Sequence, residues 1–159
     1  MQLFVLDHDP RRAAGMLCDK HLRKMYLETA QILSSVLFNK HLPLLPGMPK
    51  PYNPHHPVIA AVNSCSKINW VLIYNSALHR EYRYRFNKAH AYKSSVAEYI
   101  HLLYVPECFT GDLSFARGFK DFTVQENDIV KAYRKYYLHK KHLMKHFIYT
   151  KRLPPEWLI

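Results

Sequence analysis

The sequence DKHLRKMYLETAQILSSV, residues 19–36, decides the fold class. One side of this segment repeats every three or four residues, which is the spacing of a single α-helical face. The positions on that side are Leu22, Met25, Tyr26, Thr29, Ile32, Leu33 and Val36. The segment therefore predicts a long helix that begins at Asp19 and buries one side.

The residues before this helix predict an extended start and a short helix. Residues 2–6 are too short a run for a helix and do not alternate, so we expect an extended arm or a short strand. Asp9 and Pro10 form a typical N-cap and first-turn pair, which predicts a short helix that Gly15 ends.

The residues that follow predict a long loop and then more helices. About residues 40–57 form a proline-rich stretch, and because proline lacks an amide donor this stretch is expected to be a loop. Helical spacing resumes after it and is strongest over 68–86. A shorter helix is predicted at 94–104, an irregular segment at 106–123, and a final helix over 125–146.

The composition predicts a folded, strongly basic protein. Hydrophobic residues make up 48% of the 159 positions, which excludes a disordered chain. Lys and Arg number 23 against 12 Asp and Glu, so the formal net charge is +11. This charge favours nucleic acid as the partner, although acidic membranes or acidic proteins fit it too. Residues 1–159 are expected to form one compact all-α domain.

The apolar run near the N-terminus bears on the cellular location. Residues 3–6 are too few for a signal peptide or a membrane span. We therefore expect a cytoplasmic protein without a membrane partner, or one that acts in the cytoplasm of a host cell if it is viral.

A polar stripe runs along the long helix beside its apolar side. It consists of His21, Lys24, Glu28, Gln31 and Ser35. One interpretation is a solvated helix face. The other is a base-excision site, in which Glu28 handles protons while neighbouring cations hold phosphates. The residues predicted to hold phosphates are Lys20, His21, Arg23 and Lys24.

Two further basic sets predict DNA contacts. The last helix interleaves cations with tyrosines, as a surface that grips a backbone and stacks bases would. Its predicted contacts are Arg134, Lys135, Tyr136, Tyr137, Lys140 and Lys141. The tyrosines would equally serve as core residues, since part of that helix must be buried. The other set, at the end of the middle helix, is Arg80, Arg83, Arg85 and Lys88. Two such sets suggest a groove.

A metal site is a third interpretation. Asp7, Cys18 and His21 with a histidine of the proline-rich loop would suit a metal-dependent hydrolase or nuclease. Chance clusters are expected among eleven histidines, and no pair has a zinc-finger spacing. We therefore predict neither a metal nor a cofactor. The three cysteines are widely spaced without a CxxC pair, and we expect them to be reduced.

Several blocks of the sequence resemble one enzyme family. They are Leu17-Cys18-Asp19-Lys20-His21-Leu22 with Tyr26-Leu27-Glu28, His56-Pro57 with Trp70, the run His79-Arg80-Glu81-Tyr82 to His90, and Tyr133-Arg134-Lys135-Tyr136-Tyr137. These blocks resemble the pyrimidine-dimer DNA glycosylases of phages and bacteria. In that family a histidine precedes a glutamate by seven residues, as His21 precedes Glu28.

The resemblance implies an all-helical DNA repair glycosylase that binds double-stranded DNA and flips a base out of the duplex. It also implies that an N-terminal α-amine attacks the sugar C1′, forms a Schiff base and nicks the strand, which is AP-lyase activity. The glutamate corresponds to Glu28 and the amine to Met1. The phage enzymes expose a small second residue, whereas Gln2 is bulky and predicts that Met1 is retained. A scaffold without the amine chemistry would be a non-catalytic nucleic-acid-binding protein.

Overall fold

Every regular element in the described part of the chain is helical. The computed structural model describes residues 1–90, 114–119 and 122–159, and within them it contains five α-helices and no strand. The helices are α1 (Pro10–Gly15), α2 (Asp19–Asn39), α3 (Pro57–Ala61), α4 (Cys65–Phe86) and α5 (Ile129–Leu143), followed by a 3-10 turn at Glu156–Leu158. The predicted all-α class is confirmed. The helix predicted at 94–104 lies outside the described residues, and the extent of one domain over 1–159 stays a prediction.

Local signals place the first two helices where the sequence predicts them. The Asp9 side chain caps α1 by accepting a hydrogen bond from the Arg11 amide at 2.8 Å, and Pro10 occupies the first turn. α2 begins at Asp19, whose amide donates to the Ile148 carbonyl at 2.9 Å. The predicted apolar side of α2 is buried.

The pairing of α2 with α4 forms the centre of the core. Trp70 and Tyr74 on α4 are at most 1% exposed. The side-chain nitrogen of Asn75 donates to the Tyr26 carbonyl at 3.0 Å and to Thr29 Oγ1 at 2.7 Å. These two bonds satisfy the buried amide nitrogen of Asn75 and fix the two helices against each other.

The N-terminal arm lies inside the core. Residues 3–6 are each at most 2% exposed and belong to no strand or helix. Tyr74 Oη donates to the Phe4 carbonyl at 3.3 Å, and the Phe4 ring centre lies 5.1 Å from that of Tyr137 on α5. The extended arm therefore joins α4 to α5, and the alternative of a short strand is not observed.

The last helix is shorter than predicted. α5 begins at Ile129 because Asp128 caps it, accepting from the amides of Val130 at 2.8 Å and Lys131 at 3.1 Å. The helix ends at Leu143, after which the backbone is extended. The predicted bounds, 125–146, are wrong by about a turn at each end, since an acidic residue nearer the helix supplies the cap.

The proline-rich loop is present where predicted and is tied to α2. Residues 41–56 contain no helix or strand, and α3 begins at Pro57. The Met48 amide donates to the Leu45 carbonyl at 3.1 Å, which closes a turn around Gly47 with its φ of 77°. Asn39 donates to the Pro54 carbonyl at 2.8 Å, which fastens the end of the loop.

A buried ionic network ties α4 to the rest of the molecule. Arg85 is 1% exposed and donates to Glu81 at 2.7 Å, Asp19 at 3.1 Å and the carbonyls of Leu17 and Gly15. Arg85 therefore belongs to the core, and its sequence-based placement among surface cations is wrong.

The C-terminal tail reaches the same network. Thr150 Oγ1 donates to Asp19 at 2.7 Å, and Arg152 Nη2 donates to Glu81 at 2.8 Å. The tail thus closes over the start of α2 and the end of α4.

Two more findings concern the cysteines and membranes. Cys65 is disulfide-bonded, whereas Cys18 is free and buried. The expectation that all three cysteines are reduced is wrong, because pairing depends on what the fold brings together. Among the described residues, no helix has the length and apolarity needed to cross a membrane.

Candidate catalytic face and nucleic-acid interface

Glu28 occupies the middle of α2 with one of its oxygens unused. Its Oε1 lies 3.2 Å from Lys24 Nζ, and its side chain is 15% exposed. The other oxygen, Oε2, is buried and has no hydrogen-bond partner among the described residues. An unpaired buried acceptor costs about 1–3 kcal/mol. Glu28 therefore holds a carboxylate oxygen whose hydrogen-bonding capacity the described residues leave unused.

His21 lies two turns before Glu28 on the same side of α2, but its ring is interior. It is 8% exposed, and its Nδ1 lies 3.0 Å from Tyr137 Oη and 3.4 Å from Cys18 Sγ. Burial, together with the charges of Lys24, Lys140 and Lys20, lowers the pKa of His21 to about 4. His21 is therefore neutral at pH 7, and its environment is that of a core residue.

A cationic groove opens beside the first half of α2. Its volume is about 570 Å³. It is lined by Asp19, Lys20, Arg23, Lys24, His146 and Ile148. The Asp19 carboxylate already accepts from Arg85 and Thr150. The three exposed cations at the rim therefore set the charge of this groove, and we name it the basic groove.

The predicted contacts on α5 are mostly occupied by the chain itself. Arg134 donates to the Leu6 carbonyl at 2.8 Å and pairs with Asp7 at 3.3 Å. Lys135 pairs with Glu126 at 3.1 Å, and Lys141 donates to the Leu158 carbonyl. Lys140 Nζ lies 5.4 Å from the Tyr136 ring centre.

Burial separates the predicted contact residues into two groups. Tyr136 is 5% exposed and Tyr137 is fully buried, which is the core role that the sequence left open. Arg80 and Arg83 are exposed on α4. We therefore leave the two tyrosines and His21 out of the proposed DNA contacts, and the roles of the α4 and α5 cations stay predictions.

The arm places the N-terminal residues near α2, which carries His21 and Glu28. The Phe4 ring centre lies 4.7 Å from that of His21. Gly118 lies close to both Gln2 and α3. A Cβ at this position would be 2.8 Å from Val58 Cγ2 and 3.9 Å from Gln2 Cα. Gln2 is therefore near Val58 of α3. α3 packs on α2 and follows a loop that is bonded to the C-terminal end of α2. The arm therefore has Gln2 near α3 and Phe4 beside His21 in the first turn of α2.

The residues of the metal interpretation do not assemble. Among the described residues, no three His, Cys, Asp or Glu side chains come together in a way that would hold a metal ion. Asp7 pairs with Arg134, while Cys18 and His21 contact each other. This part of the chain gives no support to a metal-dependent hydrolase.

Sequence reasoning missed two features that shape the site. The first is the buried arm, which no local pattern indicates. The second is the network around Arg85, for which the spacing of Glu81 and Arg85, four residues apart, was a readable signal. Both features position α2 and hence Glu28.

Comparison with known proteins identifies the family of this chain. The family model for pyrimidine dimer DNA glycosylases matches residues 1–94, which include the arm, α1 to α4, and both His21 and Glu28. No curated protein and no solved structure matches the chain significantly. The family match covers 94 of the 159 residues, more than half of the chain. The chain therefore belongs to the pyrimidine dimer DNA glycosylase family.

Proposed function

We propose that this protein is a DNA glycosylase with AP-lyase activity, in which Glu28 and the Met1 amine act on the sugar of a damaged nucleotide. Membership of the family makes DNA the substrate and base removal the class of reaction. The observation that carries the assignment to Glu28 is its buried, unpaired Oε2 beside a cationic groove. A carboxylate in that position is typical of proton transfer at a reacting group.

The length of the arm supports the role of the Met1 amine. His21 and Glu28 are seven residues apart, which is about 10 Å along an α-helix. Three extended residues, from Phe4 back to Met1, span about the same distance. The contact of Phe4 with His21 and the position of Gln2 near α3 support this proposal, in which the first residue of the arm reaches Glu28.

The proposed chemistry needs these groups, the DNA and a water that hydrolyses the final Schiff base and frees the amine. The neutral amine nitrogen attacks C1′, and the bond from C1′ to the base breaks, with its electron pair leaving on the base. Loss of the ring oxygen from C1′ gives the Schiff base. Removal of a C2′ proton then breaks the C3′–O bond and releases the 3′ strand. Glu28 is the group that accepts and donates protons at the sugar during these steps.

In this proposal, the cations of the basic groove bind the phosphates of the DNA backbone. Lys20 and Arg23 are exposed there, and neither forms an ion pair among the described residues. Lys24 lies beside Glu28 and would place a phosphate next to the reacting sugar. The groove therefore holds the strand while Glu28 faces the nucleotide.

Borohydride trapping tests the amine. Tag-free protein is mixed with a duplex that contains one abasic site, and borohydride is added to reduce any Schiff base. We expect a covalent protein–DNA band. An N-terminal extension, which moves the α-amine away from Glu28, should abolish the band. Tight binding without a band would overturn the lyase proposal and favour the non-catalytic binding protein, for which the retained Met1 before Gln2 is the motivating feature.

A matched pair of variants tests Glu28. Glu28→Gln should slow base release from UV-irradiated duplex DNA by at least about a hundredfold, because it removes the proton-transfer group. Glu126→Gln makes the same chemical change at an exposed pair with Lys135 and should leave the rate unchanged. Melting temperatures should agree with that of the wild type, since the Glu28 ion pair contributes at most about 1 kcal/mol. Equal rates for both variants would remove Glu28 from the mechanism.

A further inference from the structure

The proline-rich loop carries an exposed aromatic residue on a fixed backbone. The Tyr52 amide donates to Ser35 Oγ at 3.0 Å, and Ser35 Oγ lies 3.2 Å from the Tyr52 carbonyl oxygen. Both contacts use backbone atoms of Tyr52, so its side chain takes no part in the anchor. Tyr52 is 58% exposed, and its ring has no aromatic or cationic partner among the described residues.

The hydrogen bonds to Ser35 place the Tyr52 backbone on the side of α2 that carries Glu28. Ser35 follows Glu28 by seven residues, which places both on one side of α2 about 10 Å apart. The basic groove lies towards the start of α2, and Lys24 joins it to Glu28. Glu28 therefore lies between the basic groove and the Tyr52 ring.

The charge of the loop indicates which kind of molecule the Tyr52 ring contacts. Residues 40–56 contain no Asp or Glu. The exposed basic side chains in this stretch are Lys40, His41, Lys50 and His55. A polyanion is therefore attracted to the loop, and a single strand lying in the basic groove would continue over Glu28 onto it.

We propose that Tyr52 stacks on a base of the DNA near the nucleotide that Glu28 acts on. This inference rests on the proposed function, whose substrate site it extends. Successive nucleotides of a strand rise by about 3.4 Å, so 10 Å corresponds to about three nucleotides. The base that Tyr52 contacts is therefore within about three positions of the reacting sugar. An exposed, pre-positioned ring suits this role because every base offers a face for stacking.

Two substitutions at one position separate stacking from other roles. Tyr52→Phe keeps the ring and loses the hydroxyl, whereas Tyr52→Leu keeps an apolar side chain and loses the ring. The probe is a duplex with a tetrahydrofuran abasic analogue, which cannot react, and 2-aminopurine one to three positions away on either side. Binding affinity and the quenching of 2-aminopurine fluorescence are measured for each protein.

We expect the wild type and Tyr52→Phe to behave alike. Tyr52→Leu should bind about tenfold more weakly and should lose the quenching at one of the probe positions. Tyr84→Leu is the matched control, because Tyr84 is 49% exposed but its ring already packs against Arg152. The control should bind and quench as the wild type does.

The outcomes distinguish this inference from the proposed function. If Tyr52→Leu binds and quenches like the wild type, the stacking role is wrong, while borohydride trapping still decides the lyase activity. If quenching depends on the ring but no covalent band forms, the stacking role stands and the catalytic proposal fails. A loss of quenching in Tyr52→Phe as well would overturn stacking in favour of a role for the hydroxyl.

Discussion

His21 shows how one residue of the polar stripe becomes part of the core. Its ring contacts Phe4, Tyr137 and Phe147, and its Nδ1 lies within 3.0 Å of Tyr137 Oη. The sequence placed it among phosphate-binding residues because the spacing of the stripe does not reveal its depth. Glu28, on the same stripe, has a buried oxygen without a hydrogen-bond partner among the described residues, whereas His21 Nδ1 has partners, and that difference separates a candidate catalytic residue from a structural one.

The buried His21 predicts a loss of stability in mild acid. Its pKa is lowered to about 4 in the folded protein, so the unfolded chain binds a proton first as the pH falls below 6.5. Stability should therefore decrease between pH 6.5 and about pH 4, with uptake of about one proton on unfolding. Urea unfolding at pH 7.5 and pH 5.5 measures this change. The pH dependence should become smaller in His21→Gln, and an unchanged dependence in that variant would show that another group is responsible.

At the scale of helices, local patterns account for α1, α2, α4 and the loop. Periodicity, the Asp9–Pro10 pair and the prolines all act over a few residues, so they can be read from the sequence. The contacts that orient these elements join residues far apart in the chain, such as Arg85 with Gly15 and Thr150 with Asp19. No local pattern specifies such pairs. The candidate Glu28 could therefore be predicted, whereas the unpaired oxygen that supports it could not.

The Arg85 network predicts a large difference between two arginines of α4. Arg85→Met removes the partner of Glu81 and Asp19 inside the protein, and breaking a buried ion pair costs about 3–5 kcal/mol. Arg83→Met makes the same change on the exposed side of the helix and should alter stability by about 0.5 kcal/mol or less. Urea unfolding of the two variants and the wild type measures both effects. Equal stabilities for the two variants would mean that the network does not hold α4 in place.

For the protein as a whole, the net charge of +11 and the basic groove predict different DNA-binding behaviour. A diffuse positive charge attracts DNA in any orientation, and the loss of any exposed cation would weaken binding equally. A groove that holds the backbone makes a few cations count for more than the rest. The family match establishes neither alternative, since it concerns the class of reaction.

The salt dependence of binding distinguishes these alternatives. Each neutralised phosphate contributes about −0.9 to the slope of log affinity against log salt concentration. Lys20→Gln with Arg23→Gln should therefore make the slope shallower by about 2, if both cations contact phosphates in the basic groove. Arg11→Gln with Arg12→Gln removes the same charge from exposed positions on α1 and should change the slope much less. Fluorescence anisotropy titrations of an abasic-analogue duplex between low and moderate salt give the slopes. Equal changes for the two double variants would show that the whole basic surface attracts DNA, and the assignment of backbone contacts to the groove would then be wrong.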